Sequence, residues 1–166
     1  MAEQAQWTPG ANQAHTWIAP WSTETIGELL READAAGWTS YIIDSDRGDK
    51  SLSGHDDRIT RAIAAPGAAD QLLEGLQQQV ETRFRSHRDD GTGSGTPILL
   101  VIGESARYCR DPRLLTLARL GRAADIHLAL DLDAEQLLTH ALGTEFRDNI
   151  LGTRCPALAP TGNDTP

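Results

Sequence analysis

The chain has 166 residues, 39% of them hydrophobic and 23% charged, enough for one α/β domain with a sizeable core. Fifteen Lys+Arg against 24 Asp+Glu give a formal charge of −9, which repels polyanions and argues against nucleic-acid binding by the chain alone. Cys109 and Cys155 lie far apart without metal-ligand spacing, and no signal peptide or bilayer-length apolar run is present, so a cytoplasmic protein with reduced, non-catalytic thiols and no membrane insertion is expected.

Residues 1–15 are rich in Gln, Ala, Pro and Gly, and residues 160–166 are polar with Gly and Pro; both ends read as flexible and leave a single domain at residues 16–159. Thr16 to Ala19 is a short strand candidate. Thr23 to Ala36 carries Ile26, Leu29, Leu30 and Ala33 at helical spacing, with Gly37 as its C-cap. Trp38 to Ile43 reads as a second strand ending in Asp44, and Asp46-Arg47-Gly48-Asp49-Lys50 turns away from it. Ala68 to Arg88 is a long helix candidate through Leu72, Leu73, Leu76, Val80 and Phe84.

The segment Gly91-Thr92-Gly93-Ser94-Gly95-Thr96 superficially resembles a phosphate-cradling loop. Such a loop follows a strand, opens a helix and carries a Lys, whereas this one follows a helix, lacks the Lys and precedes a strand. It reads as a connector. The run Pro97-Ile98-Leu99-Leu100-Val101-Ile102-Gly103-Glu104 is then a buried parallel strand that delivers an acid to its C-terminal end, where ligands of open α/β sheets bind. Pro112 to Arg122 reads as a helix, Asp125 to Leu130 as a strand, Ala134 to Leu142 as a short helix and Thr153 to Leu158 as a weak last strand. Strands separated by helices imply right-handed crossovers and a mostly parallel α/β sheet with flanking helices.

Four acids, Asp44, Glu104, Asp131 and Asp133, fall near strand C-termini and read as solvated groups on the rim of the sheet. The alternative is a divalent-cation site at Asp44, Asp46 and Asp49, or an acid/base pair of Glu104 and Asp131. The spacing is not that of a calcium loop, because a Gly and His55 stand where ligands belong. His127, inside an apolar strand, reads as a core histidine. Trp7, Trp17, Trp21 and Trp38 read as packing groups or a partner surface. Arg107, Arg110, Arg113, Arg119 and Arg122 read as a solvated helix face, with DNA or a neighbouring subunit as the alternative.

The order of these pieces resembles the motor domain of the FtsK/SpoIIIE DNA-translocase family, a RecA-like P-loop NTPase family with actinobacterial conjugation and secretion relatives. Tyr41-Ile42-Ile43-Asp44-Ser45-Asp46-Arg47-Gly48 is similar to the turn after the family's second strand, and Val80-Glu81-Thr82-Arg83-Phe84-Arg85 to the close of its next long helix. Leu117 to Leu128, through Gly121-Arg122-Ala123 and Ile126-His127-Leu128, is the best match. Phe146-Arg147-Asp148-Asn149-Ile150-Leu151-Gly152-Thr153-Arg154 resembles the segment before the family's closing strand.

The departures fall on the chemistry that the resemblance implies. A phosphate loop needs glycines, a Lys and a Ser/Thr for magnesium; here Pro20-Trp21-Ser22-Thr23-Glu24-Thr25 has neither Gly nor Lys, and with Thr25 at the hydroxyl position Glu24 replaces the Lys. Gly103 stands where the magnesium-binding Asp belongs, beside a retained Glu104 that would orient water. Leu132-Asp133-Ala134-Glu135 replaces the family's Thr-Gln-Arg-Pro, putting Asp133 where a neutral γ-phosphate sensor belongs. Two unit charges about 4 Å apart interact by roughly 4 kcal/mol at an effective dielectric of about 20, so these exchanges oppose triphosphate binding.

The resemblance therefore implies a catalytically degenerate, non-hydrolysing interaction or assembly module of a DNA-transfer, segregation or secretion system, with no cofactor. A protein partner or further copies of the chain would dock through the motor-ring surface, and DNA would be met only within a larger assembly. The alternative is an ATP-dependent DNA-translocating enzyme, or a fragment of one, completed by a partner subunit. In that case Ser22, Thr23, Thr25 and Asp133 would face ATP and magnesium, and Glu104 would be catalytic.

Overall fold

A computed structural model describes residues 15–18, 23–44, 61–63, 66–90, 95–103, 105–132 and 144–151. In chain order the elements are β1 (Thr16–Ile18), α1 (Thr23–Ala35), β2 (Thr39–Ile43), β3 (Arg61–Ile63), α2 (Pro66–Asp90), β4 (Ile98–Ile102), a 3₁₀ turn (Ser105–Arg107), α3 (Pro112–Leu120), a second 3₁₀ turn (Gly121–Ala124), β5 (Ile126–Asp131) and α4 (Thr144–Leu151). The five strands form one sheet in the order β1-β5-β4-β2-β3, with every pair parallel. This is the parallel α/β architecture that the alternation of strands and helices implies, in the RecA-like, single-domain form that the family resemblance implies.

The middle of the sheet explains its stability. All five residues of β4 are buried, because a strand flanked on both sides in a parallel sheet has a helix layer over each face. Ile98, Leu100 and Ile102 join Ile126, Leu128 and Leu130 of β5 in the larger core, which α2 lines with Leu72, Leu73, Leu76 and Val80 and α3 with Leu114 and Leu117. Leu99 and Val101 point the other way and meet Ile26, Leu29, Leu30 and Ala33 of α1. Each fully buried aliphatic side chain contributes roughly 1.5–3 kcal/mol, so both layers hold the sheet.

Helix α1 ends where Gly37 adopts a left-handed φ of 75°. The Gly37 N–H donates to the Asp34 carbonyl at 2.9 Å, and the Trp38 N–H donates to the Ala33 carbonyl at 2.8 Å, the paired closure of a Schellman motif. This reversal delivers the chain into β2. Helix α3 starts at Asp111, whose Oδ1 accepts the Arg113 backbone N–H at 2.8 Å, with Pro112 at the first helical position. Arg113 holds the Asp111 carboxyl below the usual carboxylate range and reaches Asp70 of α2 at 2.7 Å, tying the two helices together.

Three features depart from the sequence reading. Strand β3, parallel to β2 through Tyr41↔Arg61 and Ile43↔Ile63, lies in a stretch with no strand pattern. Helix α4 occupies residues read only as the approach to a last strand; Phe146 and Ile150 are its buried anchors. His15, placed in the flexible N-terminal segment, is 1% exposed and is held in the core by two hydrogen bonds. The expected helix at 134–142 and strand at 153–158 lie outside the described residues.

Candidate functional site

Because every strand is parallel, their C-terminal ends share one edge of the sheet. Register aligns Ile43 with Ile102, Ile102 with Leu130 and Leu130 with Trp17. Asp44 and Gly103 therefore follow the aligned ends of β2 and β4, and Asp131 closes β5 opposite Ile18. The first turn of α1 opens beyond β1.

At this edge Asp44 departs from the expectation of a solvated rim acid: it is 5% exposed. Its side chain lies against Gly103. A Cβ built on Gly103 would stand 3.2 Å from the Asp44 Cγ and 3.2 Å from its Oδ1, and the Gly103 N–H donates to the Ile43 carbonyl at 2.8 Å. The side chain of Asp44, from the end of β2, is thus the nearest neighbour of position 103 at the end of β4. A buried carboxylate disfavours a second anion beside it.

The chain after Gly103 folds back into the protein. Ser105 is fully buried and donates its hydroxyl to the Ile102 carbonyl at 2.7 Å. The Tyr108 N–H and the Cys109 thiol both donate to the Ser105 carbonyl, at 2.9 and 3.0 Å. Burial pushes the Cys109 thiol up to about 12, which removes it as a nucleophile at neutral pH. Ser105, Tyr108 and Cys109 were missed as positioning groups because their short, mixed-polarity run carries no periodicity.

The sequence-derived candidates separate clearly. Thr25 is half-buried in the first turn of α1, and Glu24 is exposed in the same turn. The partial positive charge of that helix end is complemented by the chain's own carboxylate. Thr23 begins α1; Ser22, Glu104 and Asp133 lie outside the described residues, as do Asp46 and Asp49. Among the described residues no group of three or more His, Cys, Asp or Glu side chains could hold a metal ion. His127 is fully buried on β5, its ring 4.7 Å from that of Trp38, as a core histidine would be. Of the arginines, Arg113 pairs with Asp70 and Asp111, and Arg119 with Glu145; Arg107, Arg110 and Arg122 are exposed. Among the described residues no helix is long and apolar enough to cross a membrane.

No protein-family model matches the chain, and no curated protein sequence does. Solved structures match its fold. The pCW3 conjugation coupling protein TcpA, in monomer form with ATPγS, superposes with a TM-score of 0.63 at 18% identity, over 82% of this chain and 46% of TcpA. Thermomonospora curvata EccC (ATPases 2 and 3, in complex with a signal sequence peptide) gives 0.57 at 19% identity, over 83% of this chain and 28% of EccC. Geobacillus thermodenitrificans EssC (ATPases 2 and 3) gives 0.54 at 10% identity, over 80% of this chain and 31% of EssC. The chain spans less than half the length of each. Its fold therefore resembles that of FtsK/SpoIIIE-type P-loop ATPase domains.

Proposed function

We propose that the chain is a catalytically degenerate relative of these ATPase domains that acts in the cytoplasm as a non-hydrolysing assembly module of a DNA-transfer or secretion machine. The observation that carries this reading is the strand end itself. β4 keeps its buried apolar run and is followed by Gly103, where the resembled family carries an Asp, and the buried side chain of Asp44 lies against that glycine. A tetra-anionic nucleotide needs positive charge there. The segment 20–25 adds neither Gly nor Lys and brings Glu24. At these positions the sequence lacks the Gly, Lys and Asp that handle phosphate and magnesium, which suits docking against a partner protein or further copies of the chain.

The fold neighbours are ATPase domains, one solved with ATPγS, and this supports one second reading. In it a partner subunit supplies the missing Lys or Arg, Ser22, Thr23, Thr25 and Asp133 face Mg-ATP, and Glu104 positions water. Phosphate release from ATP, measured on the full chain alone and mixed with a catalytically complete ATPase of the same machine, separates the two. The assembly reading predicts a stable complex with no activity attributable to this chain, and Glu104→Gln leaves the mixture's rate unchanged. A rate that falls with Glu104→Gln refutes it and establishes the second reading.

A further inference from the structure

We infer that His15 is an acid-released latch: protonation of its imidazole frees the edge strand β1 while the rest of the sheet stays folded. The inference goes beyond the assembly reading and holds whether or not the chain handles nucleotide.

β1 is the outermost strand on its side of the sheet and pairs with β5 through Thr16↔Ala129, Trp17↔Leu130 and Ile18↔Asp131. β5 starts earlier, at Ile126, and at Leu128 its edge is closed by a side chain: the Leu128 N–H donates to the His15 Nδ1 at 3.1 Å. On the far side of the ring, Nε2 donates to the Ala118 carbonyl of α3 at 2.9 Å. His15 immediately precedes β1, so this one ring fastens the start of the strand to β5 and α3.

The niche suits the neutral ring and opposes the charged one. An imidazolium has two N–H donors and no acceptor, so its Nδ1–H would face the Leu128 N–H, donor against donor. Leu128 is held by its pairing with Leu100 of β4 and cannot turn that N–H away. The ring is 1% exposed, and a buried charge without a counter-ion is costly. The charged and titratable groups that act on it are Arg122 of the second 3₁₀ turn and His127 of β5, both of which oppose a further positive charge; α3 contributes the carbonyls of Ala118 and Leu117, and burial outweighs them. Among the described residues no carboxylate favours the charged form, Asp125 and Asp131 at the two ends of β5 included. A charged His15 must therefore leave its niche.

What leaves with it is set by the pairing. β2, β4 and β5 are joined by ladders of five residue pairs each and carry the core layers that the helices cover. β1 is a three-residue edge strand, and such an element opens at a lower free energy than the centre of a sheet. Its release strips the outer row of β5 N–H and C=O groups of their neighbour, leaving an edge open to another strand.

The test is residue-resolved NMR on the full chain between about pH 6 and about pH 3.5, following the His15 ring nitrogens together with amide exchange expressed as protection factors. Protection at Leu128 and residues 16–18 is expected to fall at least about tenfold in step with the titration of the His15 ring, while Leu99, Leu100 and Val101 keep theirs. His15→Gln, which cannot titrate, is expected to show no such loss. A ring that takes up its proton with the β1 edge still protected overturns the latch, as does a ring that stays neutral throughout. Equal losses at β1 and β4 would mean general acid unfolding, and the same loss in His15→Gln would mean another group; both overturn it. Should His15→Gln not fold, the parent alone decides, because protection that falls at a pH other than the midpoint of the ring also overturns the proposal.

Discussion

The Leu128 N–H donates to the Nδ1 of His15 at 3.1 Å, although the two residues lie 113 positions apart. The other ring nitrogen, Nε2, donates to the Ala118 carbonyl at 2.9 Å, satisfying an acceptor in the last turn of α3 that the helix cannot serve itself. One neutral imidazole thus joins β5, α3 and the start of β1. Only the Nε2–H tautomer makes both bonds.

Burial holds the His15 imidazole down at about 4, from an ordinary 6.5. Between those values the unfolded chain binds a proton that the folded chain does not, so stability falls as pH drops from about 6.5 to about 4 and levels off below. The loss attributable to this group is about 3 kcal/mol. Urea unfolding at several pH values checks it. His15→Gln keeps a donor and an acceptor but cannot titrate, so it should flatten this part of the profile and cost about 1–3 kcal/mol at neutral pH.

The guanidinium of Arg83 donates to the Ala124 and Thr96 carbonyls, both at 2.9 Å, and lies 2.8 Å from where a Cβ on Gly95 would stand. It pins the outer part of α2 to the edge where β4 and β5 begin. Arg83→Ala should destabilise by about 1–2 kcal/mol. Gly95→Ala need displace only the movable guanidinium end of Arg83, so it should cost no more than the Arg83 hydrogen bonds, about 1–2 kcal/mol, and be close to neutral without Arg83, a coupling that a double-mutant cycle in urea reads directly.

Gly121 opens the second 3₁₀ turn at an ordinary helical φ of −55°, so its need for glycine is steric. A Cβ there would stand 2.6 Å from the Ile126 carbonyl oxygen, a backbone atom held by the sheet. Gly121→Ala is expected to cost about 1–3 kcal/mol, measured as a lower urea midpoint with an unchanged slope.

The Cys109 thiol, 3% exposed and raised to about 12, should resist alkylation in the native protein. In a Cys155→Ser background, iodoacetamide at neutral pH should label the chain only as fast as it opens, and labelling should accelerate sharply in urea. Rapid native labelling would contradict the packing of the turn after β4.

Much of the fold was legible because it rests on local periodicity. Leu99, Leu100 and Val101 announced a strand covered on both faces, and Ile26, Leu29, Leu30 and Ala33 announced the helix that covers one of them. Arg61-Ala62-Ile63 did not announce β3: three residues led by Arg become a strand only because β2 offers a free edge. Among the described side chains of α4 the buried ones are Phe146 and Ile150, one i,i+4 pair, too few for a pattern. At the candidate site the sequence showed departures from the resembled family's pattern, Gly103 where that pattern has Asp and Glu24 where it has Lys. The burial of Asp44 against Gly103 was not visible, since it depends on strand register, and neither was the role of His15, whose partners come from distant elements.

Thermal unfolding of the full chain with and without millimolar Mg-ATP measures whether the strand edge accepts a triphosphate. A ligand present at about 100 times its Kd and bound only to the folded state stabilises by about 2.7 kcal/mol, or roughly 5–10 °C for a chain of this size. With Asp44 buried beside Gly103 and no lysine near residues 20–25, the midpoint should stay within about one degree of that without ligand. A saturable rise of several degrees that requires both magnesium and ATP would contradict the non-hydrolysing assignment.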